Sequence, residues 1–178
     1  MRSLLLFFLI TGLSVFSAFS QNYSGVGSIS LTQKDLSLSS EQLVGRFIPD
    51  QHVLSFMVKT HSLSLSADDA AKSFLHDVLL MEANPLLSLE FDLNGFPEIS
   101  SGDFLSKTIN LPLTVRFNEH TVTILVPTSI EKQGNTLAVS AETDIALSSL
   151  AIVLSEEEKK IYDSHISLAV NQAVLTRR

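Results

Sequence analysis

The sequence predicts an all-β fold built on an antiparallel sheet, and three observations carry that prediction. From Gln21 onward the chain is a succession of short segments in which apolar and polar residues alternate with period two. Turn-forming residues punctuate those segments. A single stretch, Ser66 to Leu79, has the three-to-four-residue apolar spacing of a substantial amphipathic helix. Alternation of this kind belongs to sheets with one face on a core and one in water, whereas strands of a parallel sheet read as continuous apolar runs.

The first 20 residues stand apart from this pattern. Arg2 precedes an apolar run from Leu4 to Phe16, which is interrupted by Thr11, Gly12 and Ser14 and ends in Ala18-Phe19-Ser20. The run is short of the ~20 apolar residues that a membrane span requires. It has the layout of a secretory signal peptide, with cleavage expected between Ser20 and Gln21. Residues 1–20 are therefore assigned to a leader and 21–178 to one mature domain, long enough to bury its own core.

Eight strands can be counted in the mature chain. The first is near Gly27 to Thr32, with Ile29 and Leu31 on one face. The second runs from about Gln42 to Pro49, and after a turn at Pro49-Asp50-Gln51 the third follows from Val53 to Thr60 with Leu54, Phe56 and Val58 together. The helix comes next: Ala70, Ala71, Phe74, Leu75, Val78 and Leu79 form its apolar stripe, Ser66 is its expected N-cap and Asp69 a first-turn acid. A turn at Asn84-Pro85 leads into the fourth strand, where Leu87, Leu89, Phe91 and Leu93 alternate with Ser88, Glu90 and Asp92.

Residues 94–103 (NGFPEISSGD) read as a turn-forming connector. The fifth strand carries Ile109, Leu111, Leu113, Val115 and Phe117 on one face. Asn118-Glu119 is a tight-turn candidate, and the sixth strand, His120 to Ile130, returns with Val122, Ile124 and Val126. Pro112 and Pro127 cannot donate to a ladder, so each is expected at an edge or bulge. The Gln133-Gly134-Asn135 turn opens the seventh strand, Thr136 to Ala146. Ser155 to Lys160 reads as a short charged helix with a Ser/Glu capping box. The last strand, Ser164 to Leu175, places Ile166, Leu168, Val170 and Val174 on one face, interrupted by Gln172.

Composition excludes several functions. The formal charge is −7 and becomes one unit more negative without Arg2, and no Lys/Arg cluster exists to follow a phosphate backbone, so nucleic acid is not an expected partner. There are no cysteines, which rules out disulfides, a thiolate nucleophile, a cysteine metal site and lipidation at a processed cysteine. His52, His61, His76, His120 and His165 do not fall at metal-ligand spacing. Neither a Gly-x-Ser-x-Gly elbow nor a glycine-rich phosphate loop is present. No enzymatic activity, metal or cofactor is expected.

The chain resembles the YceI-like family of secreted, lipocalin-like proteins from about Ser28 to the C-terminus. The residues that carry the resemblance are Leu43-Val44-Gly45 and the Leu54-Ser55-Phe56-Met57-Val58 strand. Phe74-Leu75-His76-Asp77, Met81-Glu82 and Asn84-Pro85 follow, leading into Leu89-Glu90-Phe91. Leu111 to Ile124 stands where the family has a hairpin, and Ala146 to Ile161 where it has a late loop and short helix. Asn118-Glu119-His120 replaces the usual glycine-rich turn, and the helix is less aromatic than in many relatives.

The resemblance implies an eight-stranded antiparallel lipocalin-like barrel around an elongated apolar cavity, with one helix near the mouth and a short helix before the last strand. It also implies a long-chain apolar ligand, a polyisoprenoid or similar lipid, and export to the periplasm if the source has an outer membrane. The expected cavity lining is Phe56, Val58, Phe74, Val78, Leu89, Phe91, Leu113 and Val115, with Lys72, His76 and Asp77 available for a head group at the mouth. The alternative is a filled barrel acting as an extracytoplasmic interaction module. An eight-stranded barrel is just wide enough for either. Four of the eleven phenylalanines (Phe7, Phe8, Phe16, Phe19) fall in the leader and tryptophan is absent, so the mature interior is mainly aliphatic.

Overall fold

The structure is a computed structural model, and it describes residues 22–63, 68–79, 86–101, 106–117 and 120–178. The expected leader, Ser66, Asn84-Pro85 and Asn118-Glu119 lie outside those residues. Eight strands form in order: β1 (Tyr23–Gln33), β2 (Leu36–Ile48), β3 (Val53–Lys59), β4 (Leu86–Asp92), β5 (Ser106–Phe117), β6 (His120–Gln133), β7 (Thr136–Ala146) and β8 (His165–Arg177). Each pairs antiparallel with its neighbours, and β8 returns to β1, which closes the barrel. The fold class read from the alternation and the resemblance is the one observed.

The inward rows are the apolar positions of the sequence. Leu54, Phe56 and Val58 of β3, Leu87, Leu89 and Phe91 of β4, and Leu111, Leu113 and Val115 of β5 are all buried. Each large apolar side chain removed from water in this way contributes about 1.5–3 kcal/mol, so the closed wall and its filling stabilise each other. Phe56 and Phe91 meet edge to face with ring centroids 6.1 Å apart, and they fill the half of the barrel nearer the end at which β4 finishes.

Two irregularities reset the in/out parity. Gly27 lies opposite Leu43 while Ile29 lies opposite Ser40, so β2 carries one extra residue beside Glu41-Gln42. Val26 lies opposite Val174 while Ser28 lies opposite Asn171, so β8 carries one extra residue at Gln172, whose φ is +43°. A bulge of this kind exchanges the two faces for everything beyond it. Ala173 and Leu175 therefore point inward and Val174 faces out, which corrects the sequence reading that placed Val174 on the inner row with Ile166, Leu168 and Val170.

The prolines sit where a strand loses a neighbour. Pairing of β5 with β4 begins at Leu113, one residue past Pro112, and pairing of β6 with β7 begins at Thr128, one residue past Pro127. Their missing N–H groups thus fall at local edges, as the chemistry of proline requires. The 94–103 connector is more ordered than its turn-rich composition suggests: it holds α3 (Pro97–Ser101), with Ile99 buried against the core. Pro97 opens that helix at a position where its lost donor costs nothing. Glu98 pairs with Lys107, whose ammonium also lies 5.6 Å from the Phe96 ring centroid.

A 3₁₀ turn at Pro49–Gln51 shares the α3 end, and the opposite end, where β3 finishes and β4 begins, carries the other helical pieces. These are α1 (Thr60–Leu63), α2 (Asp69–Ser73) continuing as a π turn through Phe74–Val78, a 3₁₀ turn at Leu147–Leu150, and α4 (Glu158–Ile161). Asp68 caps α2 by accepting from the Ala71 amide at 2.8 Å, so the cap lies two residues past the Ser66 expected from sequence. Ala71, Phe74, Leu75, Val78 and Leu79 are buried, while Ala70 is exposed and not part of the stripe. The Ser155/Glu158 capping box is present in both directions: the Glu158 carboxylate accepts from the Ser155 amide, and the Ser155 hydroxyl accepts from the Glu158 amide.

Candidate functional site

The helical end of the barrel encloses a cavity of about 30 Å³ whose walls expose only carbon. Leu31 of β1, Leu87 of β4, Val115 and Phe117 of β5, Ile145 of β7, and Ile166 and Leu168 of β8 supply its sides. Thr60 and Leu63 of α1, Leu75 and Leu79 of the α2 segment, and Leu150 of the 3₁₀ turn close it from above. Its position follows from the topology. Short, separate helical pieces cap this end, whereas the paired phenylalanines pack nearer the other.

A second hollow of about 220 Å³ adjoins the first and has walls that are polar and apolar in near-equal measure. Asp77, Val78, Leu79, Phe117, His120, the Leu150–Leu154 segment and Glu158 line it. Leu79, Phe117 and Leu150 belong to both hollows, so these three apolar side chains form a partition where the interior cavity meets the outer vestibule. The Leu79 amide donates to the Phe74 carbonyl at 3.0 Å, the i→i+5 bond of the π turn, which places Leu79 at the partition while Asp77 faces water. Ala151, at φ +52°, ends the 3₁₀ turn and lets the chain double back so that the Ile152 amide reaches the Leu147 carbonyl at 3.0 Å.

The vestibule is acidic. Asp77 accepts from or pairs with His76 at 2.8 Å. Glu158 is held below the usual carboxylate range by the hydrogen bond with Ser155, against the opposing field of Asp77. The Tyr162 hydroxyl is pushed above the ordinary tyrosine value, first by burial and then by the charges of Asp77 and Glu158. These three groups thus share one electrostatic neighbourhood. Phe74 packs on Tyr162 with centroids 5.0 Å apart, tying the α2 segment to the chain after α4. Among the described residues no three His, Asp or Glu side chains converge as a metal site.

All eight residues expected to line a cavity are buried, but the structure does not bring all of them to one. Val115 lines the interior cavity and Val78 the vestibule. Phe56, Val58, Leu89, Phe91 and Leu113 are packed in the wall and the filled half, and Phe74 lies against Tyr162. Of the polar residues expected at the mouth, Asp77 lines the vestibule, His76 pairs with it, and Lys72 lies 3.6 Å from Asp69 on the solvent side. Leu31, Leu150, Ile166 and Leu168 are lining residues that sequence reasoning did not select. The inward alternation of Leu31, Ile166 and Leu168 was legible in β1 and β8, but nothing in it marks height along the barrel axis, and Leu150 lies in the 3₁₀ turn, outside any alternating strand.

No protein-family model and no curated protein sequence matches this chain. Solved structures do. A polyisoprenoid binding domain from Saccharophagus degradans is similar over 88% of this chain and 94% of its own, with TM-score 0.65 and 8% identity. Burkholderia cenocepacia BcnA is similar over 86% of this chain and 95% of its own, with TM-score 0.59 and 13% identity. A Campylobacter jejuni YceI protein covers 83% and 84% respectively, with TM-score 0.53 and 13% identity. The class of protein defined here is therefore a closed eight-stranded barrel with the fold of YceI proteins and of a polyisoprenoid binding domain. That agrees with the YceI-like resemblance read from the sequence.

Proposed function

We propose that this protein is an exported binding protein that takes a long-chain apolar ligand, a polyisoprenoid or a similar lipid, into its barrel. The observation that carries the reading is the carbon-walled cavity at the helical end, which shares three lining side chains with the adjoining vestibule. The structural likeness to a polyisoprenoid binding domain supports it. Each methylene transferred from water into such a space contributes about 0.8 kcal/mol, so a chain of moderate length binds without any charged partner. A cavity of about 30 Å³ holds no such chain as it stands. Uptake therefore requires the partition and the short helical pieces above it to give way, and the chain to displace side chains inside. The 1–20 segment supports export, and with an outer membrane the mature protein would reside in the periplasm.

The test is native mass spectrometry of protein purified from its source without detergent, before and after organic extraction. A discrete extractable mass, and uptake of a fluorescent prenyl or acyl probe by the extracted protein, is the expected result. The second reading is a filled barrel serving as an interaction module. Two observations favour it: the small interior, and an outward apolar row in which Val174, Val26, Val44 and Met57 stand directly opposite one another across β8, β1, β2 and β3. A uniform ligand-free mass with no probe uptake would select it.

A further inference from the structure

We infer that the side-chain carbonyl of Gln33 is the polar anchor of the interior site, accepting a hydrogen bond from an uncharged hydroxyl on the end of the bound chain. The inference rests on the lipid-binding reading and names the polar group that the ligand carries. Among the described residues the buried polar side chains borne by strands are Gln33, Ser40 and Thr128. The Ser40 and Ser62 hydroxyls meet at 2.7 Å, and the Thr128 hydroxyl donates to the Val126 carbonyl at 3.1 Å. Gln33 is satisfied on one side only. Its Nε2 donates to the Asp163 carbonyl at 2.8 Å, whereas no donor reaches Oε1, although the residue is only 1% exposed. A buried acceptor left without a donor is costly, and it marks a place where a donor from outside the chain is gained.

The register puts that acceptor at the level of the interior cavity. Gln33 follows Leu31 on the inward row of β1, and Leu31 lines the cavity. Thr32 stands opposite Ser167, so Gln33 is level with Ile166 of β8, which itself stands opposite Ile145 of β7. Both isoleucines line the cavity. Its walls expose only carbon, so Oε1 is covered while the cavity is closed; uptake, which parts the cap and moves side chains, is the event that uncovers it. The bond from Nε2 to Asp163 fixes which side of the amide is offered. That side is an acceptor, so an O–H end is taken and an ether or hydrocarbon end is not. No ionisable residue lines the cavity, so a charged end gains nothing there to offset leaving water.

The experiment measures displacement of a bound fluorescent prenyl probe by farnesol and by farnesyl methyl ether, which share one tail, from extracted wild type and from Gln33→Met. The ether carries one more carbon and no O–H, so a site without a polar anchor prefers it, by about fourfold for one buried methylene. Wild type should instead bind farnesol tighter. In Gln33→Met the order should reverse, a change in the ratio of about tenfold. Methionine keeps the side-chain length and removes both the acceptor and the bond to Asp163. Any loosening of the cap by that loss moves both competitors together and leaves their ratio alone, which separates anchoring from a structural role. Should the variant fail to fold, wild type labelled with carbon-13 at the glutamine side-chain carbonyls carries the test: the Gln33 resonance should move with farnesol and not with the ether. Ether binding as tightly as farnesol, or tighter, in wild type overturns the inference and leaves the lipid barrel standing, with Oε1 served by water. A ratio unchanged in the variant, or a resonance that moves alike with both compounds, overturns it as well. Binding of no competitor and no probe overturns the lipid reading itself, and the inference with it.

Discussion

Leu168→Ala tests whether the interior cavity is where a ligand lies. Leu168 is buried, stands opposite Leu31 of β1 and Thr143 of β7, and lines the carbon-walled space. Truncation removes three carbons from a site walled by strands that cannot collapse inward, so the ligand-free protein should lose about 2–5 kcal/mol. For a chain of this size that is a fall in Tm of very roughly 5–15 °C. The same three carbons can be replaced by the tail of a bound chain. At about 0.8 kcal/mol per methylene, refilling returns some 2 kcal/mol, or about thirtyfold in affinity for a prenyl probe. Two assays then move in opposite directions: calorimetry of the extracted protein shows the loss, and probe titration shows tighter binding. If stability falls by the expected amount while probe affinity is unchanged or weaker, the ligand does not occupy this cavity.

Three further outcomes follow from other parts of the fold. A Cβ on Gly25 would lie 1.9 Å from the Val174 carbonyl oxygen, a backbone atom of β8, whereas one on Gly45 would meet the movable side chains of Leu175 and Phe56 at 2.6 Å. Gly25→Ala should therefore lower the urea midpoint more than Gly45→Ala, and the reverse order would mean that β1 and β8 are not so closely apposed. Asp68→Ala should cost about 1 kcal/mol through loss of the α2 cap, with Asp68→Asn nearly neutral, as measured by thermal melts. Tyr162 should ionise above the usual tyrosine value because burial and the two carboxylates favour its neutral form. A group with a raised native value stabilises the fold at lower pH, so this contribution is lost as pH climbs past about 10, the unfolded value. Absorbance titration of wild type against Tyr162→Phe should show a late-titrating phenol that the variant lacks.

Alternation made most of the wall legible. In β3, in β4 and in β5 from Leu111 onward, one residue in two is apolar and buried, because a strand without irregularities keeps its parity from end to end. In β8 the same rule failed past Gln172. Asn171 and Gln172 are both exposed, the register slips by one, and Leu175 takes the inward place that period two gives to Val174. The strand's composition offers no warning, since Val174 and Leu175 are equally apolar and only pairing with β1 and β7 decides between them. The helix start shows a similar competition: both Ser66 and Asp68 are capable caps, and Asp68 takes the role at the described boundary by reaching the Ala71 amide. The α3 turn was hidden because Gly, Pro and Ser mark loops by composition, while burial of Ile99 is what orders it.

The site was less legible than the wall for a physical reason. Period two says which side chains enter a barrel, but packing at each level decides whether space remains there. Phe56 and Phe91 were natural choices for a ligand-facing wall because they are large, inward and central. Being large, they fill the level they occupy, and the space survives where aliphatic Leu31, Leu87, Ile145, Ile166 and Leu168 meet a cap made of short helical pieces. Leu79, Phe117 and Leu150 hold the decisive position: all three are buried, Leu79 at the end of a π turn and Leu150 in a 3₁₀ turn outside the sheet, while Phe117 at the end of β5 still pairs with Leu87 and His120. Elements with few ladder hydrogen bonds open at lower free energy than the strands around them. Hydrogen exchange of the extracted protein should therefore show the Phe74–Leu79 and Leu147–Ile152 amides exchanging well before those of β1 and β8. Equal protection across all of them would remove the path by which a chain could enter.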